Sequence, residues 1–222
     1  METPIHNKGM AANVLDLLSG ILRYFPNTMI ATLLVGGIAL GKMSWILIAV
    51  GGILAAIAAL TLQYALFQSF HLGTLPGAAV LEMCSILPAA SGAYLTLPSL
   101  WMTLTAFFTT YILTNASVVY STTPAQATST ALPVLQRKGV GLISMLAMTI
   151  LFLFLAVPRF RTGCETVAGS LSGIGLGAVL GWAWWNVLNA SGPDVYPDIH
   201  GVMIGLKPGA LHKSPMACRP KT

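Results

Sequence analysis

Few side chains in this 222-residue sequence could carry chemistry, and most of them are hydroxyl or amide groups inside apolar runs. Thr103, Thr110 and Thr114 recur at helical spacing and share one face of a predicted helix, with Asn115 beside them. Glu82 is an acidic residue in a largely apolar segment, and carboxylates at membrane depth often mark ion or proton pathways. Together these residues could line a polar path. The alternative is that Glu82 is hydrated at an interface and that the hydroxyl and amide groups bond neighbouring helices or their own preceding carbonyls.

Other chemistry is not indicated. The sequence has no HExxH, GxSxG or phosphate-binding loop, so we predict no enzyme, metal or cofactor. Cys84, Cys164 and Cys218 are far apart and form no CxxC pair, which favours free thiols, with one disulfide left as an alternative. The net charge of +5 is spread over loops and tails without interleaved aromatics, so nucleic acid is not an expected partner.

The composition sets the class of protein. Hydrophobic residues make up 55% of the chain and charged residues only 8%, against about 25% charged residues in soluble domains. Several apolar runs exceed the roughly 18 residues that mark a spanning helix. The sequence therefore predicts an all-α polytopic membrane helical bundle, with membrane lipids as its surroundings.

The pattern of apolar runs predicts about five transmembrane helices. Residues 11 to 25 form a predicted amphipathic helix that bends at Pro26 into the first span. The start of the sequence does not have the pattern of a cleaved signal peptide, so none is predicted. The five predicted spans are 28–41, 45–67, 100–120, 140–157 and the glycine-rich helix that includes 169–185. Residues 71 to 98 are interrupted by prolines and predict a partly buried connection, with a sixth span as the alternative. We divide the chain into one transmembrane domain, 1–190, and an extramembrane Pro/Gly-rich C-terminal tail, 191–222.

With five spans, the basic residues fall on two faces of the membrane. One face carries Lys42, Arg137, Lys138, Lys207, Lys213, Arg219 and Lys221, and the other carries Lys8, Arg23, Arg159 and Arg161. The excess on the first face predicts a cytoplasmic C-terminus. A sixth span would reverse this orientation.

Glycines at helical spacing predict close helix packing. Gly169, Gly173, Gly177 and Gly181 recur every fourth residue, so one ridge of that helix lacks side chains and admits a neighbouring backbone. Because four-residue steps rotate by about 40° each, the ridge predicts a long crossing or contact with two neighbours. Further predicted packing residues are Gly36, Gly37, Gly51 and Gly52. The aromatic end of the ridge predicts three membrane-interface anchors: Trp182, Trp184 and Trp185.

The run R-F-R-T-G-C-E-T-V-A-G-S-L-S-G-I-G-L-G-A-V-L-G-W-A-W-W, with the later M-A-C-R-P, resembles multi-pass membrane proteins of large DNA viruses of algae and protists. The matching positions are Arg161, Gly163, Cys164, Gly169, Gly173, Gly177, Gly181, Trp182, Trp185 and Cys218. The segment 94–99 is also similar to the entry of a middle span in that group. The resemblance implies a membrane beneath a capsid and supplies no catalytic residues.

These observations predict a non-enzymatic protein that acts in the assembly or structure of a membrane. The family resemblance implies that this membrane is the internal membrane of a virion. Its expected partners are other membrane subunits or further copies of the chain, and a capsid or core protein bound by the tail. The alternative function is a small oligomeric transporter or channel that uses the polar path described above.

Overall fold

The computed structural model describes residues 10–71, 74–75, 84, 94–121, 134–161 and 163–191. Over these residues it contains five helices: α1 (Met10–Ala39), α2 (Met43–Phe70), α3 (Leu100–Ser121), α4 (Val134–Arg161) and α5 (Val167–Ala190). Two short strands, β1 (Thr74–Leu75) and β2 (Tyr94–Leu95), pair antiparallel with Thr74 opposite Leu95. Glu82 and the predicted tail beyond Ser191 lie outside the described residues.

The helical architecture agrees with the sequence prediction, and four of the helices could cross a membrane. These are α2, α3, α5 and the Lys138–Arg161 part of α4, which are long and apolar enough to do so. Many large apolar side chains on α2 and α4 are exposed, including Leu54, Ile57, Ile143 and Leu153. This surface is compatible with an integral membrane protein.

Two helices contain a proline. Pro26 is inside α1, so the amphipathic segment and the first apolar run form one helix of 30 residues. Pro158 is inside the last turn of α4, where the sequence predicted that the fourth span ends. Apolar helices tolerate proline because neighbouring groups and small backbone adjustments compensate for the missing N–H.

A tight turn joins α1 to α2. Gly41 has a φ of +61°, a left-handed conformation that glycine adopts without steric cost. The Lys42 N–H donates to the Gly37 carbonyl at 2.8 Å, which closes the end of α1. α1 and α2 therefore form an antiparallel hairpin, as the sequence predicted.

Helix α3 lies at the centre of the bundle. Residues 101 to 109 are all buried, and α3 packs against α2, α4 and α5. One apolar cluster, around Phe107, Phe108 and Tyr111, joins α3 to α2 and α5. A second cluster joins Trp101 and Met102 to Leu155 and Ala156 of α4.

The helix directions give the bundle two distinct ends. Gly169 lies at Thr96 and Gly181 at Phe107, so α5 runs parallel to α3. Helix α2 runs the opposite way, since Gly52 meets Phe108 while Gln63 bonds Pro98. Helix α4 also runs opposite to α3, since Gly141 meets Ala116 while Leu155 packs near Trp101. We call the end that holds the beginnings of α3 and α5 the disulfide end. The opposite end, where Lys42, Lys138 and the last residues of α5 lie, is the basic end.

Candidate functional site

A buried ion pair lies at the disulfide end. Arg159, in the last turn of α4, bonds the carboxylate of Glu165 through Nη2 and Oε1 at 3.0 Å, and only 5% and 7% of the two residues are exposed. The same Nη2 donates to the carbonyl of Cys84 at 2.9 Å. The guanidinium also lies over the Trp101 ring, 5.1 Å from its centroid. Arg159 therefore ties together α3, α4, the α4–α5 turn and the segment that contains Cys84.

A disulfide closes the same site. Cys84 and Cys164 are bonded although they are 80 positions apart in sequence, and both are buried. The expectation of free thiols was wrong for these two cysteines. Sequence spacing could not pair them, because residues so far apart in the chain meet only in the folded protein. A crosslink over such a long segment stabilises the fold mainly by restricting the unfolded chain.

Hydrogen bonds from side chains and from the backbone fix the beginnings of α3 and α5 next to this site. The Ser99 hydroxyl accepts a bond from the Met102 N–H, and the Thr166 hydroxyl accepts one from the Gly169 N–H, so each side chain caps its helix. The Ser99 N–H donates to the Gly169 carbonyl at 2.9 Å, which joins α3 directly to α5. The Gln63 amide donates to the Pro98 carbonyl at 2.6 Å and adds α2 to the same end.

This arrangement can clamp segments together, and it offers few reactive groups. Its acidic residue, Glu165, is engaged by Arg159, while Glu165 Oε2 and the Ser170 hydroxyl are buried without a hydrogen-bond partner. Among the described residues, no three His, Cys, Asp or Glu side chains lie close enough together to hold a metal ion.

The glycine ridge of α5 lies entirely against α3. A Cβ at Gly169, Gly173, Gly177 or Gly181 would meet a backbone carbonyl oxygen of α3 or of the residues just before it, namely those of Thr96, Ser99, Thr103 and Phe107. The four carbonyls advance by three, four and four residues, so α3 follows the ridge along its length. Of the two arrangements that the sequence predicted, the structure has the long crossing rather than contact with two neighbours. The parallel partner supplies one continuous contact that accommodates the rotation of the ridge.

The other predicted packing glycines contact different partners. Gly36 and Gly37 lie against Trp45 and Ile46 near the hairpin turn. Gly51 lies against the Trp184 and Phe107 rings, and Gly52 lies against Phe108, with Ile30 of α1 also close. Gly36, Gly51 and Gly52 therefore make room for aromatic rings, whereas Gly37 lies against the Ile46 side chain and the backbone of Lys42 and Ile46.

The three tryptophans at the end of α5 have different surroundings. Trp182 is 58% exposed, which suits an interface anchor. Trp184 points toward α2 and donates through Nε1 to the Leu47 carbonyl at 3.0 Å. Trp185 is buried in the cluster around Phe107. Trp184 and Trp185 thus contact neighbouring helices, and the assignment of all three tryptophans as membrane-interface anchors stays a prediction.

The residues of the predicted polar path do not form a continuous row of free groups. Thr103 is fully buried and donates to the Ser99 carbonyl, and Thr114 donates to the Thr110 carbonyl, so both bond their own helix. Asn115 differs from them. It is fully buried, and neither its amide nitrogen nor its oxygen has a partner. Tyr111, one turn earlier on α3, also has a buried hydroxyl without a partner.

Sequence reasoning missed Arg159, Glu165 and the disulfide as one site. A signal was present: Arg159, Cys164 and Glu165 fall within seven residues, next to the end of a predicted span. An arginine so close to a span was interpreted only as a topology signal. Comparison of the chain with protein-family models, with curated proteins and with solved structures finds no match.

Proposed function

We propose that this chain is a non-enzymatic, multi-pass membrane protein that acts in the assembly or structure of a membrane. In this proposal α1 adds a fifth span to the four apolar helices, and the C-terminal tail engages a partner outside the bilayer. In the viral interpretation that partner is a capsid or core protein, and the membrane is internal to the virion.

The observation that carries the proposal is the fixed position of α5. Its glycine ridge lies backbone to backbone against α3, and Trp184 bonds α2 near the other end of the helix. The disulfide and the Arg159–Glu165 pair hold the turn that precedes α5. The end of α5 therefore has a fixed position in the bundle, and a tail that continues from it would start at that position. This property suits a scaffold for assembly.

The buried ridge also limits how copies of the chain could associate. Since α3 and the residues just before it, Thr96 and Ser99, cover all four glycines, these glycines are not free for a second molecule. Association with other membrane subunits or with further copies would use outer faces, such as the exposed apolar side of α4.

The test of this function is removal of the tail. A chain truncated after Ser191 should lose the proteins that co-purify with the full chain in mild detergent. A second variant, with residues 192–222 replaced by a Gly/Ser segment of equal length, should lose them too, because binding depends on the sequence of the tail and not on its length. Non-reducing electrophoresis verifies the Cys84–Cys164 disulfide in each variant and so confirms folding. Unchanged co-purification after truncation would contradict the role of the tail.

A second function is favoured by one observation. Buried polar groups are normally hydrogen-bonded. Three buried side-chain atoms of α3 have no hydrogen-bond partner: the Tyr111 hydroxyl oxygen and the amide nitrogen and oxygen of Asn115. A small transporter or channel would use such groups in another conformation. Flux measured in liposomes discriminates the two functions: an observed flux that Glu82→Gln or Asn115→Leu abolishes would replace the assembly proposal with the transport function.

A further inference from the structure

Cation–aromatic contacts occur at both ends of the bundle. At the basic end, the Lys42 ammonium lies 5.4 Å from the Trp45 ring centroid and the Lys138 ammonium 5.9 Å from that of Tyr120. At the disulfide end, Arg23 lies over the exposed ring of Tyr24, and Arg159 lies over the buried ring of Trp101. Paired cations and aromatic rings are typical of the two interfaces of a membrane, where the ring sits at headgroup level and the cation reaches water.

The distance between these contacts fits a bilayer. Trp101 and Tyr120 are 19 residues apart on α3, which corresponds to about 28 Å at 1.5 Å per residue. The hydrocarbon core of a bilayer is about 30 Å thick. The two ends of α3 therefore lie at opposite interfaces when the helix crosses the membrane.

The disulfide end carries the exposed Arg161 as well, so the two ends differ in their buried contacts rather than in the presence of positive charge. The cation on Trp101 is buried and neutralised by Glu165. At the basic end both Lys42 and Lys138 are exposed, and no acidic side chain lies there among the residues that the structure describes. The basic end therefore presents uncompensated positive charge at headgroup depth.

The disulfide assigns the two ends to compartments. Disulfides form and persist in oxidising compartments and are rare in the cytosol. The end with Cys84 and Cys164 then faces an oxidising compartment, and the basic end faces the cytosol, whose leaflet carries anionic lipids. The distribution of basic residues independently gives the same orientation.

We propose that Lys42 and Lys138 bind the phosphates of anionic lipid headgroups in the cytosolic leaflet, on the side opposite the disulfide. This inference rests on the membrane function proposed above. Each ammonium is held at headgroup depth by the ring beneath it, so little side-chain freedom is lost when a phosphate binds. Lipid binding then fixes the depth in the membrane of the α1–α2 turn, of the end of α3 and of the beginning of α4. These parts lie at the same end of the bundle as the end of α5.

The binding is tested by unfolding the protein in vesicles. Adding phosphatidylglycerol to phosphatidylcholine vesicles should raise the midpoint of thermal unfolding, and Lys42→Gln with Lys138→Gln should remove more than half of that rise. Arg161→Gln is the matched control, because Arg161 is an exposed cation at the disulfide end. An equal loss in the control, or no loss in the double variant, would overturn the proposal.

The orientation is tested with the native Cys218, the one cysteine in the sequence outside the disulfide. A membrane-impermeant maleimide should label the chain only after the cells are permeabilised, and Cys218→Ser should abolish that labelling. Labelling of intact cells would overturn the assigned orientation. Alkaline carbonate extraction separates the two proposals: release of the chain from membranes defeats the membrane function itself, whereas retention without a lipid effect defeats only the lipid site.

Discussion

Helices α3 and α4 show opposite relations between hydropathy and burial. An 18-residue stretch of α3 has a mean hydropathy of 1.2 and is 67% buried, whereas a stretch of the same length in α4 has a mean hydropathy of 2.6 and is only 17% buried. In a water-soluble protein the more apolar helix would be the more buried one. The reverse order is expected in lipid, where apolar side chains can stay outside and polar ones need partners inside.

Different contacts hold the two helices in place. Helix α3 is enclosed by the glycine ridge of α5, by Ile48 and Ala55 of α2, and by α4. Helix α4 packs its small residue Gly141 against the α3 backbone at Ala116, and it is held at its other end by Arg159. The comparison teaches that α3 depends on packing along its length, whereas α4 depends strongly on one polar anchor. Four sets of variants test this difference between the two helices.

Removal of the anchor should have the largest effect. Arg159→Met leaves Glu165 as a buried, uncompensated charge, and we expect the free energy of unfolding in mild detergent to fall by about 3–5 kcal/mol. Arg161→Met, an exposed neighbour on the same helix, should change it by less than about 0.5 kcal/mol. The double variant Arg159→Met with Glu165→Leu should recover much of the loss. Equal effects of the two single variants would refute the anchoring role of Arg159.

Truncation of one leucine on each helix tests the difference in packing directly. Leu104 of α3 is 2% exposed and Leu146 of α4 is 56% exposed. Leu104→Ala should lower the free energy of unfolding by about 2–5 kcal/mol because it leaves a cavity. Leu146→Ala should cost under about 1 kcal/mol, because detergent or lipid fills the space. If Leu146→Ala cost as much as Leu104→Ala, the outer face of α4 would be an interface rather than a lipid-facing surface.

A single added methyl group tests the seam between α3 and α5. Gly177→Ala would drive a Cβ into the Thr103 carbonyl, and overpacking of this kind costs about 1–3 kcal/mol. A methyl group at Gly175, on the opposite side of α5, would meet nothing within 4 Å. Gly175→Ala should therefore be neutral or slightly stabilising. Thermal unfolding of both variants checks this, and equal midpoints would show that the seam is looser than these contacts indicate.

The smallest expected effect is at Asn115. Since its amide atoms have no partners, Asn115→Leu should leave the free energy of unfolding unchanged or raise it by up to about 1 kcal/mol. Thr105→Val is the matched control on α3, because it removes a hydroxyl that donates to the Trp101 carbonyl, and it should cost about 0.5–1.5 kcal/mol. A clear loss of stability from Asn115→Leu would mean that Asn115 has a partner, such as a transported molecule, and would favour the transport function.

Much of the fold could be predicted from the sequence, because apolar runs and glycine spacing are local patterns. The spans around 45–67 and 100–120 lie within α2 and α3, and the turn at Gly41 lies where the glycine and the neighbouring polar residues indicated it. The candidate site was less accessible. Arg159 and Glu165 were interpreted one at a time, and a charged pair can be recognised only when both positions in space are known.

By itself, the sequence determined that this chain forms long apolar helices and that one flank of α5 is free of side chains. Both properties follow from residue type and from the 3.6-residue period of the helix. Only the tertiary structure decided which helix fills that flank and which cysteines pair. It also decided that two of the three tryptophans turn inward. The physical reason is that apolar helices can pack against one another in many ways, and the choice depends on shape complementarity between residues far apart in the chain.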